Sequence, residues 1–390
     1  MTEPAATAVG AGLGRLRIAL VAPLVTTIAE PQQGGSQVFV ADLAVGMTER
    51  GHAVDVYAAS GSALPGARVI ETHVDPTDLA DALVQPGRPR RHVAALDEAY
   101  ARVFAMVAEA DYDVVHSHGF DPAALRHGRV GRSPVIHTIH LPPEPEAAAA
   151  LREARRSDEP PVVVGVSAAQ ARAWSSFARF DRVIRIGVPV ERIPWSLRAG
   201  RGLLFAGRFS PDKGAAEAVE IARLADEPID LYGSAYDAAY ARDLHARYDG
   251  DPSVTFHEPL PRTALWRRFA GAHAVLCPTN ADESFGLVAA EAQAAGTPVV
   301  AFARGALVEV VQDGVTGALV PAGDVRAAAA AIATIESIDR ERCREHAVAD
   351  LGLDACLTGY EALYAEVAAD RRRPQSPQRR RPSASLAAGG

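Results

Sequence analysis

Short apolar runs alternate with longer amphipathic segments along most of this chain. The first run covers 17–22, a helical pattern follows at about 35–49, and a second apolar run covers 53–57. Alternation of this kind predicts parallel strands that are connected by crossover helices. Four further strands are predicted in this half of the chain, at 114–116, 135–138, 162–166 and 183–186.

The alternation starts again at 202–207, after a segment that contains Pro189, Pro194 and Gly200. Later strands are predicted at 229–232, 254–256, 273–277, 298–301 and 317–320. The whole pattern predicts an α/β protein with two tandem Rossmann-like, doubly wound domains that face each other across a cleft. Ligands of such sheets bind beyond the carboxyl ends of the strands, so functional residues are expected on the loops that follow strands.

The domain limits follow from the same pattern. The first domain is assigned to 15–188, the linker to 189–201, and the second domain with its closing helices to 202–370. Residues 1–14 are expected to be a disordered leader. Residues 371–390 carry two Arg triplets among Pro, Ser, Gln and Gly, which predicts a disordered basic tail.

Composition narrows the classes of function. The chain has 390 residues and a formal net charge of −8, so no overall positive field points to nucleic acid. Its three cysteines show no metal-ligand spacing, and a cytoplasmic location is expected. The apolar run 18–25 follows two arginines, as in a signal peptide, but the glycine-rich turn and helix after it favour a buried first strand. No apolar run is long enough to span a bilayer.

The segment 283–291 carries two carboxylates around the start of a predicted helix. Glu283 lies in the loop, Phe285-Gly286 opens the helix, and Leu287 and Val288 offer free backbone N–H groups, while Glu291 lies one turn inside. A helix N-terminus favours an anion, and carboxylates accept hydrogen bonds from hydroxyls, so the segment suits a sugar and its phosphate. Taken alone, ordinary helix capping explains it equally well.

A second group of candidates follows the predicted strand at 203–206. Arg208 supplies a fork of donors and Lys213 a point charge, and both are natural partners of phosphate. Two solvent-exposed cations in a loop are the alternative interpretation of this segment alone.

Further candidates lie in the first half of the chain. The glycines of 33–37, Gly35 among them, precede the first helix, where backbone amides can meet a phosphate or a hydroxyl. His140 directly follows a strand and could donate a hydrogen bond to a sugar or move a proton. His118 follows another strand, whereas His116 and His137 are better explained as buried structural residues.

Several of these segments resemble one family. The 283–291 segment, with Pro278 and the run 294–300, resembles the Glu-x7-Glu motif of retaining glycosyltransferases of family 4. The 207–214 segment resembles the family's Gly-Arg…Lys-Gly motif, and His140 matches its Thr-x-His position. The resemblance covers roughly 15–365 and is dense from 202 to 320.

This resemblance implies a GT-B fold, a nucleotide-sugar donor held mainly by the C-terminal domain, retention of configuration, and neither a metal nor a cofactor. Arg208 and Lys213 would grip the donor diphosphate, and His140 would lie near the transferred sugar. The remaining donor contacts would come from the glycine-rich loop and the helix start: Gly35, Phe285, Gly286, Leu287, Val288 and Glu291. Position 37 is Glu in many members and is Gln37 here, so its acceptor-side role is open, as is that of His118.

The chain is therefore predicted to be a retaining hexosyltransferase in which Glu283 and His140 act on the sugar. UDP-linked hexose is the expected donor, and the acceptor is a small molecule or a lipid. The arginines at 88, 90 and 91 would suit an anionic membrane lipid, but a solvated loop is favoured. A GT-B-like sugar-nucleotide epimerase and a non-catalytic nucleotide-sugar-binding protein remain alternatives. A dehydrogenase would need a Gly-x-Gly-x-x-Gly motif after the first strand, which 23–35 lacks.

Overall fold

The computed structural model of the protein describes residues 14–32, 34–82, 93–128, 131 and 133–372. Nearly all of the expected leader, the basic tail beyond residue 372 and the arginine-containing patch at 86–92 lie outside the described residues. Among the described residues, no helix is both long and apolar enough to cross a membrane.

Seven parallel strands form the first sheet, in the order β3-β2-β1-β4-β5-β6-β7. They are β1 Arg17–Val21, β2 Ala53–Ala58, β3 Arg68–Glu71, β4 Val114–Ser117, β5 Val135–Ile139, β6 Val162–Gly165 and β7 Arg182–Val183. The connecting helices are α1 Gly35–Glu49, α2 Val93–Ala108, α3 Pro122–His127, α4 Pro145–Ala154 and α5 Ala168–Trp174. A one-turn 3₁₀ helix at Val190–Arg192 lies in the linker, and a longer 3₁₀ segment is Pro76–Ala82.

The central strand β1 explains the apolar run that resembles a signal peptide. Ile18, Leu20 and Val21 are fully buried, and β1 pairs with β2 on one side and β4 on the other. A strand covered by helices on both faces is expected to be apolar throughout. The edge strand β3, by contrast, was not predicted, because it is short and only partly buried and therefore lacks that apolar pattern.

Six parallel strands form the second sheet, in the order β10-β9-β8-β11-β12-β13. They are β8 Leu203–Ala206, β9 Ile229–Tyr232, β10 Val254–His257, β11 Ala274–Cys277, β12 Val299–Phe302 and β13 Gly317–Val320. The helices of this half are α6 Ala215–Leu224, α7 Ala238–Tyr248, α8 Arg262–Gly271, α9 Leu287–Ala294, α10 Leu307–Val310, α11 Val325–Ile332 and α12 Arg340–Asp350, with a 3₁₀ turn at Ile335–Ser337. Two doubly wound sheets in tandem confirm the predicted fold class.

The last helix, α13 Leu353–Arg372, returns to the first sheet. The Tyr364 hydroxyl lies 2.6 Å from Nδ1 of His116, and the Tyr360 hydroxyl lies 2.9 Å from Oγ1 of Thr138. The Arg50 guanidinium donates to Glu361 at 2.6 Å. The sequence places the closing helices within 202–370, whereas the contacts of α13 join it to the first half; the exact domain limits stay a prediction.

The chain crosses between the domains at a close backbone contact. Val188 forms a parallel bridge with Gly352, its N–H donates to Leu351 at 2.8 Å, and its carbonyl accepts from Leu353 at 2.9 Å. A Cβ atom added to Gly187 would lie 2.4 Å from the carbonyl oxygen of Gly352. Only glycine therefore fits at position 187.

We expect Gly187→Ala to destabilise the protein by about 1–3 kcal/mol, because the methyl group forces the start of α13 away from the linker. The free energy of unfolding in urea measures the effect. Gly271→Ala is the matched control, since a Cβ at Gly271 meets no atom within 4 Å. Equal stability of Gly187→Ala and the wild type would contradict the prediction.

Candidate active site in the interdomain cleft

The two domains bring helix N-termini together across the cleft. Helix α1 begins at Gly35 in the first domain, and α9 begins at Leu287 in the second. A Cβ atom added to Gly35 would lie 3.1 Å from Cδ1 of Leu287, so the two helix starts are almost in contact. Both present free backbone N–H groups and the positive end of a helix dipole. This part of the cleft therefore suits an anion, as the sequence predicted for each helix separately.

Gly286 makes the start of α9 possible. It is the residue before the helix, and its φ of 96° lies in the left-handed region that favours glycine. The loop ahead of it is fixed by a hydrogen bond in which the Ala306 N–H donates to the Glu283 carbonyl at 2.8 Å. The Phe285 side chain is buried in the hydrophobic core, so a ligand in the cleft could meet only the backbone of this residue.

Two cations line the cleft on the second domain. Lys213, the only lysine in the chain, donates a hydrogen bond to the Glu283 carboxylate. The Arg208 guanidinium lies 4.2 Å from the centre of the Tyr236 ring and 3.3 Å from the Asp212 carboxylate. Two of the three predicted ionic side chains thus meet directly, Lys213 and Glu283, which are about a quarter exposed, whereas Arg208 contacts Asp212, the residue before Lys213.

A buried ion network joins the domains beside this group. The Arg262 guanidinium, on α8, donates from Nε to Glu291 at 2.6 Å and from Nη1 to both oxygens of Asp42, on α1, at 2.7 and 2.8 Å. The side chains of Arg262, Glu291 and Asp42 are each at most 10% exposed. Burial raises the pKa of Asp42, although Arg262 acts in the opposite direction. Burial would lower the pKa of Arg262, but the two carboxylates raise it overall.

Sequence reasoning missed Asp42 and Arg262. Glu291 was expected at a ligand, and the structure shows Arg262 as its protein partner; its contact with a ligand stays a prediction. The available signal was Asp42 itself, a carboxylate in the apolar middle of α1, between 38–41 and 43–47, since such a group needs a buried cation.

The histidines gather where β4 and β5 end. Nδ1 of His118 lies 3.0 Å from Nε2 of His140, and the His116 and His118 ring centres are 4.0 Å apart. Burial lowers the pKa of His140 to about 3 and those of His116 and His118 well below the usual value, so all three are neutral at pH 7. His137 is buried on the opposite face, against Gly128.

Gln37 folds back onto its own loop. Its amide nitrogen donates to the Thr26 hydroxyl, its amide oxygen accepts from the Ser36 hydroxyl at 2.9 Å, and the residue is 4% exposed. Its acceptor-side role stays a prediction.

The chain contains two Asp-x-Asp tripeptides, at 111–113 and 249–251. Asp113 accepts from the Arg17 N–H at 2.9 Å, and Asp251 accepts from Ser253 in a turn. No group of three His, Cys, Asp or Glu side chains in the described part of the chain is placed to hold a metal ion. That no metal is required stays a prediction.

Comparisons with known proteins match both halves. The family model "Glycosyl transferases group 1" matches residues 199–349, and "Glycosyltransferase Family 4" matches residues 33–192. A D-inositol 3-phosphate glycosyltransferase of Kribbella flavida is 30% identical, over 82% of this chain and 87% of its own length.

Solved structures with the same fold include sucrose-phosphate synthase of Thermosynechococcus elongatus, with a TM-score of 0.73 at 22% identity, covering 91% of this chain and 100% of that one. HepE of Anabaena, solved in complex with UDP-glucose, has a TM-score of 0.68 at 19% identity, covering 91% of this chain and 100% of that one.

We expect Arg262→Gln to destabilise the protein by about 3–5 kcal/mol, because two buried carboxylates lose their shared cation. Urea unfolding measures the change. Arg267→Gln, which removes an exposed arginine from the same helix, should stay within about 0.5 kcal/mol of the wild type. Equal effects of the two substitutions would show that the network contributes no stability.

Proposed function

Because this chain belongs to glycosyltransferase family 4, we propose that it transfers a sugar from a nucleotide-sugar donor, UDP-linked, to an acceptor with retention of the anomeric configuration. The observation that carries the proposal is the meeting of two helix N-termini with Lys213 and Arg208 in one cleft. Amide N–H groups, helix dipoles and fixed cations together suit a diphosphate. HepE, which shares the fold, was solved with UDP-glucose.

In this proposal the departing diphosphate receives the negative charge that develops in the reaction. The bond between the anomeric carbon and the diphosphate oxygen breaks, and a bond to the acceptor oxygen forms on the same face of the sugar. The proton of the acceptor hydroxyl passes to the departing diphosphate oxygen, which is the base that the step itself supplies. Arg208, Lys213 and the α9 amides stabilise the leaving group, since fixed donors of this kind need no rearrangement as charge develops. Lys213 exchanges the Glu283 carboxylate for phosphate when the donor binds.

Glu291 is proposed to hold the ribose. Oε1 of Glu291 accepts a hydrogen bond from Arg262, so Oε2 is available to accept one from a ribose hydroxyl. The network with Asp42 would then fix the orientation of the carboxylate that meets the nucleotide.

Glu283 and His140 are proposed to act on the transferred sugar, from opposite domains. Released from Lys213, the Glu283 carboxylate can accept sugar hydroxyls, while His140 lies at the carboxyl end of β5. Gln37 and His118 stay assigned to the acceptor side of this region. The acceptor is proposed to be a small molecule or a lipid. D-inositol 3-phosphate is the first compound to test, because it appears in the names of relatives of this chain. All three cysteines lie among the described residues and are free, which suits the proposed cytoplasmic location.

A nucleotide-release assay tests the proposal directly. UDP-glucose and other nucleotide sugars are each incubated with the protein and a panel of acceptors. Acceptor-dependent UDP release with a new glycoside of unchanged anomeric configuration is expected. Interconversion of the donor sugar without an acceptor would instead identify an epimerase, and binding without any turnover would identify a non-catalytic protein.

We expect Arg208→Ala and Lys213→Ala each to weaken UDP binding about ten-fold or more, because a charge-assisted hydrogen bond contributes roughly 1.5–3 kcal/mol. Calorimetry measures the affinities, and Arg201→Ala, an exposed arginine ahead of β8, is the control. Since Lys213 is the only lysine, an amine reagent labels one side chain, and UDP should protect it. Undiminished affinity in both variants, or labelling unaffected by UDP, would overturn the assignment.

We expect Glu283→Ala and His140→Ala to lose most of the transfer rate while binding UDP nearly as tightly as the wild type. Interactions made chiefly in the transition state lower kcat more than binding when they are lost. The rate is measured with UDP-glucose and the acceptor found above, and Glu336→Ala, an 83% exposed carboxylate, is the control. Full transfer by either variant would remove that residue from the mechanism.

A further inference from the structure

The contact between His118 and His140 has a direction that the surrounding atoms determine. The two rings share a hydrogen bond of 3.0 Å between Nδ1 of His118 and Nε2 of His140. Both residues are neutral, because burial lowers both pKa values. A neutral imidazole carries one N–H and one bare nitrogen, so a single proton lies in this bond and one ring must donate it.

The other nitrogen of His118 distinguishes the two arrangements. Nε2 of His118 is buried and has no hydrogen-bond partner among the described residues. If His140 donated, His118 would carry its own proton on Nε2, as a buried N–H without an acceptor. If His118 donates from Nδ1, Nε2 is only a bare lone pair. Orphaned buried N–H groups are rare, and unsatisfied acceptors are somewhat more common, so the second arrangement is favoured.

The tautomer of His140 follows from this direction. Its Nε2 accepts from His118, and its proton must therefore reside on Nδ1. Nδ1 does not belong to the fully buried atoms that lack a partner, and the residue is 8% exposed, so Nδ1 is the ring nitrogen that remains available to a ligand.

We propose that His118 is a positioning residue that donates its Nδ1–H to His140 and thereby holds His140 as a hydrogen-bond donor, not a base, toward the transferred sugar. The role of His140 toward the sugar rests on the proposed function, whereas the tautomer of His140 does not. His118 thus has a role through His140, in addition to the acceptor-side role proposed above.

The environment of the pair keeps both rings in place. Phe39 packs against both of them, with ring centres 5.6 Å from His118 and 5.7 Å from His140. His116 lies against His118 and is itself held by Thr138 at 2.7 Å and Tyr364 at 2.6 Å. Rotation of either imidazole would disturb its packing against Phe39, so these neighbours hold the two rings in contact without a ligand.

Long-range proton–nitrogen NMR correlation of ¹⁵N-histidine-labelled protein tests the tautomer without any substrate. The His140 resonances are identified by their loss in His140→Gln. We expect wild-type His140 to carry its proton on Nδ1 at pH 7. A proton on Nε2 would overturn the proposal. Because no turnover is needed, this result is independent of whether the protein transfers a sugar.

Three variants of His118 then test its effect on the reaction. The amide N–H of Asn occupies nearly the position of Nδ1, that of Gln lies closer to Nε2, and Leu has no donor. We expect His118→Asn to keep the Nδ1–H tautomer of His140 and most of kcat. His118→Gln and His118→Leu should lose the single tautomer and at least about ten-fold in kcat, with UDP affinity unchanged.

The measurements separate positioning from simple packing. A purely structural role for His118 would lower kcat equally in all three variants and leave the NMR signature of His140 unchanged, and either result would refute the proposal. Thermal unfolding checks that each variant is folded. Absence of transfer by the wild type with intact Nδ1–H at His140 would refute the proposed function and leave the tautomer assignment standing.

Discussion

The cleft depends on one buried arginine that both domains share. Arg262 is the first residue of α8, where a cation opposes the helix dipole, and it is removed from water. Two carboxylates offset both costs, Asp42 from α1 and Glu291 from α9, and Glu30 accepts from the backbone N–H of Arg262 at 3.0 Å. Since α1 and α9 carry the two helix N-termini that face each other, the same contact that joins the domains also sets the separation of the backbone amides at the two helix starts.

Two further sets of contacts connect the two halves of the chain. Between α10 and α5, Glu309 accepts from the Ala168 N–H at 3.1 Å and from Arg172 at 3.0 Å. Behind the first sheet, α13 supplies the hydroxyls that fix His116 and Thr138. Polar groups at strand ends are satisfied there by residues that follow the second domain in sequence, so the orientation of the histidines depends on both halves of the chain.

The sequence predicted the features that local patterns encode. Alternating apolar runs identified both sheets, and the short motifs located Arg208, Lys213, Glu283 and the start of α9. Contacts between residues far apart in the chain could not be predicted from the sequence. No local pattern shows that Asp42 meets Arg262, 220 positions away, or that α13 returns to the first sheet. The edge strand β3 was missed because half-exposed strands lack an apolar run, and the His118–His140 contact depends on the register of β4 and β5.

The two ionic clusters of the cleft differ in what a ligand can displace. Lys213 and Glu283 are 28% and 21% exposed, and pairs near the surface contribute only about 0–1 kcal/mol. A phosphate that offers Lys213 a charge-assisted hydrogen bond of roughly 1.5–3 kcal/mol can therefore take the place of Glu283 at little cost. Separating Arg262 from its carboxylates would instead leave buried charges unpaired, at about 3–5 kcal/mol. In the proposed function, an incoming phosphate would therefore rearrange the exposed pair and free Glu283 for another partner, while the buried network that joins the domains would stay intact.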